Sequence, residues 1–162
     1  MQAITGSETG FEEMKVLLAI DGTTCSDLAV RFVTERAYKP GDQFLILAVV
    51  ESIPSDLGFA DAELARKEHD RRLAPDMERM KEVSQKAADL ISAAHPDHTV
   101  AARVECGTIV DTIVETAEAF EADLIILGSH GRQGFERFFI GSVAEEVLRR
   151  AHCSVEVVKG SG

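Results

Sequence analysis

The chain has no tryptophan and a single tyrosine, so the volume of its core has to come from aliphatic side chains and eight phenylalanines. Cysteine is sparse as well. Cys25, Cys106 and Cys153 are an odd number, lie far apart and form no CxxC pair. They read as reduced thiols, without the closely spaced ligand pairs that structural zinc requires. His95 and His98 bracket Pro96-Asp97 in what reads as a solvated turn, so the histidines add no metal site. Basic charge is in short supply: 17 Lys and Arg stand against 28 Asp and Glu, for a net charge of −11. A sequence-independent nucleic-acid partner needs a basic surface to neutralise phosphates, and an anionic membrane surface needs the same. Both are excluded as expected partners. No apolar run approaches the roughly 20 residues needed to span a bilayer. The opening "MQAITGSETGFEEM" has neither the basic start nor the apolar stretch of a secretory signal, which makes the cytoplasm the expected location.

What is present is a regular alternation. The 162 residues, 45% of them apolar, suit one domain with a sizeable core. "KVLLAI" (15–20) is a short apolar run that ends at "DGTT", as a buried strand does at a turn. Residues 24–38 place Leu28, Ala29, Phe32, Val33 and Ala37 on one helical face, and Pro40-Gly41-Asp42 ends the segment. "QFLILAVVE" (43–51) is a second strand, and 52–60 reads as a loop. Residues 61–94 are helical and heavily charged, with Pro75 predicted as a break or kink. "TVAARVE" (99–105) is a third strand. Thr108 and Asp111 then have capping-pair spacing before a helix carrying Ile109, Ile113, Ala117 and Phe120. "DLIILG" (123–128) and "SVEVVK" (154–159) complete five strands, with a helix after residue 142. Strands alternating with helices imply an α/β fold, a parallel sheet covered by helices on both faces. Residues 14–159 form the expected domain, with polar ends at 1–13 and 160–162.

The segment between the fourth strand and the last helix, "LGSHGRQGFERFFIGS" (127–142), is rich in glycine. In an open parallel sheet, ligands sit beyond the carboxyl ends of the strands, where strand order reverses. Glycine lets a backbone approach a ligand closely, and a helix start presents free N–H groups that favour an anion. A phosphate chain is the natural occupant. Ser142 with Glu145 also has capping-box spacing, which explains Ser142 without a ligand. A Walker A loop is excluded, because no Lys precedes Ser142, and a Rossmann fingerprint is excluded, because only Gly22 follows the first strand.

Gly128 and Gly131 are separated by two residues, nine residues run from Arg132 to Ile140, and Gly141-Ser142 follows. In this spacing, and in "LLAIDGT", "ADLIILGSHGRQG" and "FFIGSVAEEVLRRAHCSVEVV", the chain resembles the universal stress protein family, specifically its ATP-binding branch. That resemblance implies a Rossmann-like five-stranded parallel sheet in the order 3-2-1-4-5, with adenine nucleotide across its carboxyl edge. It implies ATP as ligand, with or without Mg2+. It assigns Asp21 to the sugar side of the nucleotide and the backbone at Val49 to the adenine. Gly128, Gly131, Gly141, Ser142 and Val143 become the ribose- and phosphate-binding stretch, and Arg132, beside it in the loop, is a further candidate cofactor-binding residue that reads equally as a solvated side chain. Asp21 is also an ordinary turn residue before Gly22, and Val49 serves equally as core. The family often dimerises through the last strand, which here carries Glu156 where an apolar residue is usual.

Fast hydrolysis needs a water-positioning group, metal ligands and cations near the γ-phosphate. Arg132, Arg137 and His130 lie near the loop, but Asp21 is the one obvious acidic metal ligand of the edge loops. Ser129 is no nucleophile elbow, because Leu127 stands where GxSxG requires glycine. The expected function is therefore an ATP-binding stress-response protein, a homodimeric switch with slow or no hydrolysis. A weak ATPase and a dimeric interaction module without nucleotide affinity are the alternatives.

Overall fold

The structure, a computed structural model, describes residues 13–52, 61–130 and 140–159. Five strands and four helices alternate: β1 (Lys15–Ile20), α1 (Thr24–Glu35), β2 (Gln43–Glu51), α2 (Asp61–Ala94), β3 (Thr99–Gly107), α3 (Ile109–Phe120), β4 (Leu124–Gly128), α4 (Ser142–Arg150) and β5 (Ser154–Val158). The strands form one sheet in the order β3-β2-β1-β4-β5, every pair parallel. This is the expected Rossmann-like architecture.

The parity of residue number sorts the core, because successive strand side chains point to opposite faces. Val16, Leu18 and Ile20 of β1 join Phe44, Ile46, Ala48 and Ile126 against α1 and α2. Leu17 and Ala19 join Leu45, Leu47, Ile125 and Leu127 against α3 and α4. A central strand buried on both faces needs a continuous apolar run, and "VLLAI" at 16–20 supplies it after the half-buried Lys15. Chain order reverses at β1, and its partners outrun it. Pairing with β2 ends at Ile20↔Ala48 and pairing with β4 at Ala19↔Leu127. β2 continues beside β3 to Glu51↔Gly107. Val49–Glu51 therefore keep a neighbour on one side and lose β1 on the other, leaving a notch at the carboxyl edge.

Several local expectations are corrected. The α1 helix stops at Glu35, so Ala37 lies outside it. Arg36 turns aside there, binding Glu156 at 2.6 Å and stacking on Phe32 and Tyr38. Pro75 does not break α2, which is assigned as one helix of 34 residues. The carbonyl that Pro75 leaves without a donor belongs to Arg71, on an exposed turn where solvent can serve it. His95 is not in a solvated turn. It is buried, its Nε2 donates to Val33 O at 2.9 Å, and it stacks on Phe44. Thr108 is the α3 N-cap but makes no side-chain capping bond, and Asp111 pairs instead with Arg150 of α4 at 2.7 Å. No helix among the described residues is long and apolar enough to cross a membrane.

Candidate ligand site at the carboxyl edge

Three segments meet the notch at the sheet's carboxyl edge: the turn after β1, the end of β2, and the ends of the bridge from β4 to α4. The β1 turn is fixed locally. Asp21 Oδ1 accepts from Thr23 N at 3.0 Å and from Thr23 Oγ at 2.6 Å, while Gly22 takes φ +75°. Thr23 also caps α1, its hydroxyl oxygen accepting from Ser26 N at 3.4 Å. Asp21 thus holds the turn as well as standing at the edge. The Val49 side chain packs partly buried on the α3/α4 face, so its backbone, not its side chain, is what borders the notch.

Gly128 is glycine for a structural reason. A Cβ there would lie 2.7 Å from Cys25 C and 2.8 Å from Cys25 O, so the close approach is between β4 and the first turn of α1. Gly141 is likewise confined: its Cβ would stand 3.0 Å from Ser129 O and 3.3 Å from His130 Cα. Gly141 N–H donates to Ser129 O at 2.7 Å, which pins together the two ends of the bridge. Ser129 N–H in turn donates to Val158 O at 2.8 Å. Gly131 and Arg132, both expected in the site, lie outside the described residues, as do Arg137 and the loop 53–60.

The N-cap of α4 is Gly141, not Ser142, and it makes no side-chain capping bond. Ser142 is the exposed first residue of the helix, so the capping-box reading is corrected. A glycine cap has no side chain to satisfy the first-turn N–H groups, which stay directed outward, where the helix dipole favours an anion. The Val143 side chain packs partly buried on the core, so it does not face outward at this helix start.

The sequence did not single out Ser129 and His130 as a pair. Ser129 is 2% exposed and its Oγ lies 3.1 Å from His130 Nδ1, while His130 Nε2 is buried with no partner among the described residues. The uncapped start of α4, whose first-turn N–H groups favour an anion, fits an anionic ligand such as a nucleotide phosphate. Among the described residues, no three His, Cys, Asp or Glu side chains gather in a metal-binding group. The three thiols are free, and burial, aided by Asp123, pushes Cys153 above its ordinary value, away from the reactive thiolate.

A doubly wound parallel sheet whose chain order reverses at β1 defines the class of this domain. Residues 14–159 match the model of the universal stress protein family, and the chain belongs to that family. It is 30% identical over 144 residues to a universal stress protein of Thermus aquaticus, covering 89% of this chain and 97% of that one. A universal stress protein of Methanocaldococcus jannaschii is 53% identical over 53 residues, a match that spans 33% of this chain and 31% of the relative. Among solved structures, a hypothetical protein of M. jannaschii superposes with a TM-score of 0.75 at 23% identity, over 91% of this chain and 96% of its own. A universal stress protein solved in complex with cAMP gives 0.61 at 21% identity, over 92% of this chain and 98% of its own. One from Archaeoglobus fulgidus, solved with dAMP, gives 0.55 at 20%, over 90% and 98%.

Proposed function

We propose that this universal stress protein binds ATP at the carboxyl edge and acts in the cytoplasm as a nucleotide-dependent, homodimeric switch with slow or no intrinsic hydrolysis. One observation carries the reading. Where β1 ends, β2 runs on past Val49 with an edge unpartnered among the described residues, and across the same notch the uncapped α4 begins at Gly141-Ser142. An extended backbone edge offers alternating donors and acceptors to a flat base, while a helix start offers N–H groups to phosphates. Asp21 lies between them on the β1 turn. A carboxylate about 4 Å from a triphosphate would be repelled by several kcal/mol at intermediate dielectric, so it suits sugar hydroxyls. The relatives solved with cAMP and dAMP support an adenine nucleotide as the ligand class.

In this reading Val49 orients the base through its backbone, Asp21 holds the ribose, and Gly128, Gly131, Arg132, Gly141, Ser142 and Val143 surround the phosphates. A bound nucleotide supplies a charged phosphate chain, and with it a route for Mg2+ to join through phosphate oxygens.

Mass spectrometry of freshly purified protein is expected to find an adenine nucleotide. ATP should raise the melting temperature by mass action, and GTP should do so less. Equal affinity for ATP and GTP would remove the role assigned to β2, and no shift with either would leave the interaction-module alternative. Steady-state phosphate release, compared with a loop-disrupted variant, separates the switch from a weak ATPase.

A further inference from the structure

We propose that the outer edge of β3 is an interface between two copies of this chain, which pair antiparallel about a two-fold axis at Val104. β3 lies on the opposite side of the sheet from β5, so this contact is additional to any pairing through that strand.

The backbone fixes which groups the edge presents. β2 and β3 pair one to one from Gln43↔Thr99 to Glu51↔Gly107 without a bulge, and Ser52 N–H donates to Gly107 O at 3.1 Å. Gly107 thus turns its peptide groups toward β2, and so do the other odd-numbered residues of β3. The N–H and C=O of Ala102, Val104 and Cys106 point away from the sheet, and no described residue bonds them. Edge strands are ordinarily protected by shortness, a bulge, proline or charge. β3 has nine residues and no proline. Charge is its remaining protection, and its two charges, Arg103 and Glu105, are of opposite sign. Between this edge and α2 runs an open groove of about 830 Å³, lined by Lys81, Ser84, Gln85, Ala102 and Val104 among others. The groove leaves room beside the edge for another strand.

Charge selects a second copy as the occupant. Arg103 and Glu105 lie on one face of the strand, half-exposed and 3.8 Å apart. Antiparallel self-pairing centred on either residue would set like charges opposite each other. Centred on Val104, it sets Arg103 against the partner's Glu105 and Glu105 against the partner's Arg103, four charges alternating in sign. Val104 belongs to the edge-facing set, so the central pair is hydrogen-bonded. The flanking Arg–Glu pairs are then of the non-hydrogen-bonded kind, whose side chains approach most closely. Ala102 exchanges backbone bonds with the partner's Cys106, and neither position carries a bulky side chain. The α2 wall of the groove holds Lys81 and Lys86 beside Glu82 and Asp89, so the strip is balanced in a chain of net charge −11. Two copies can meet along it without the like-charge repulsion that an acidic strip would impose.

Two experiments on the full chain test this. Opposite Cα atoms of a hydrogen-bonded antiparallel pair are about 5.5 Å apart, within disulfide reach. Ala102→Cys should therefore form a covalent dimer through the partner's Cys106, an exposed thiol, under oxidised glutathione. Adding Cys106→Ser should abolish it. Positions 102 and 106 are about 13 Å apart along one strand, too far to join within a chain. No covalent dimer overturns the proposal, and a wild-type dimer linked through Cys106 alone overturns the pairing about Val104. Light scattering at tens of micromolar gives the second readout. Wild-type protein should have at least twice the mass of Arg103→Glu, and adding Glu105→Arg to that variant should restore it, because the exchanged pair is again self-complementary. Equal masses for wild type and Arg103→Glu overturn the interface, whether or not β5 pairs. The edge would then stand open to an extended segment of another protein.

Discussion

Tyr38 packs edge-on against Phe44 with ring centroids 4.8 Å apart, and its hydroxyl is buried with no hydrogen-bond partner among the described residues. Burial pushes its pKa up from 10.0 to about 12; Arg36 opposes the shift, while Glu156 and Asp42 add to it. The folded pKa is raised, so the associated stability is fully present below 10.0 and is lost as pH rises toward about 12. This is the one tyrosine and there is no tryptophan, so tyrosinate absorbance reports it alone. Its titration midpoint should lie near the upper value, and Tyr38→Phe should flatten the alkaline loss of stability. Removing an orphaned hydroxyl should also leave the neutral-pH protein as stable as before, or firmer by about 1 kcal/mol. Gly128 shows what a residue pattern conceals. Its spacing marked it for a ligand, yet the atoms that exclude a Cβ belong to Cys25, which only folding brings near. Gly128→Ala should therefore cost about 1–3 kcal/mol in chemical denaturation without ligand, as overpacking does. The Ser129–His130 pair left no signal in the sequence, because two adjacent polar residues after a strand are common.

Where an element is bounded by its own composition, the sequence reading is accurate. Apolar runs between turn residues gave β1 and β2 with the observed ends, and the charged stretch before "HPDH" gave α2 with the observed ends. Helix caps were less legible. Thr108 with Asp111 and Ser142 with Glu145 have the right spacing, but Asp111 is claimed by Arg150 and the α4 cap falls one residue earlier. Such competition comes from other elements and is invisible locally. Gly141→Val probes the α4 start directly. A Cβ pressed to 3.0 Å from Ser129 O should lower the melting temperature of the ligand-free protein, while keeping a cooperative transition. Under the nucleotide reading the additional ATP-induced shift should vanish. Retention of the wild-type ATP shift would remove Gly141 from the site.

At the scale of the molecule, strand-helix alternation specified a parallel sheet with two covered faces, and the parity of β1 and β2 divides those faces as observed. Periodicity alone did not give the strand order, which followed from the family resemblance, because alternation is compatible with several orders. The outer edges bear on assembly. β5 is an edge strand of five residues, and its Glu156 is matched within the chain by Arg36 at 2.6 Å. An internally matched charge opposes edge pairing less than a bare one. The homodimer proposed through β5 should thus appear by light scattering at micromolar concentration, and a monomer there would refute it.

The bond from Ser129 N–H to Val158 O ties the root of the bridge to the last residue of that edge strand. Amide hydrogen exchange therefore carries a distinctive signature. Ser129 is deeply buried, but its proton can exchange only when its acceptor moves away, so its protection should follow the opening of β5. Slow exchange at Ser129 would report a seated edge strand. Fast exchange at Ser129 beside slow exchange in β1 would identify β5 as the first part of the sheet to separate.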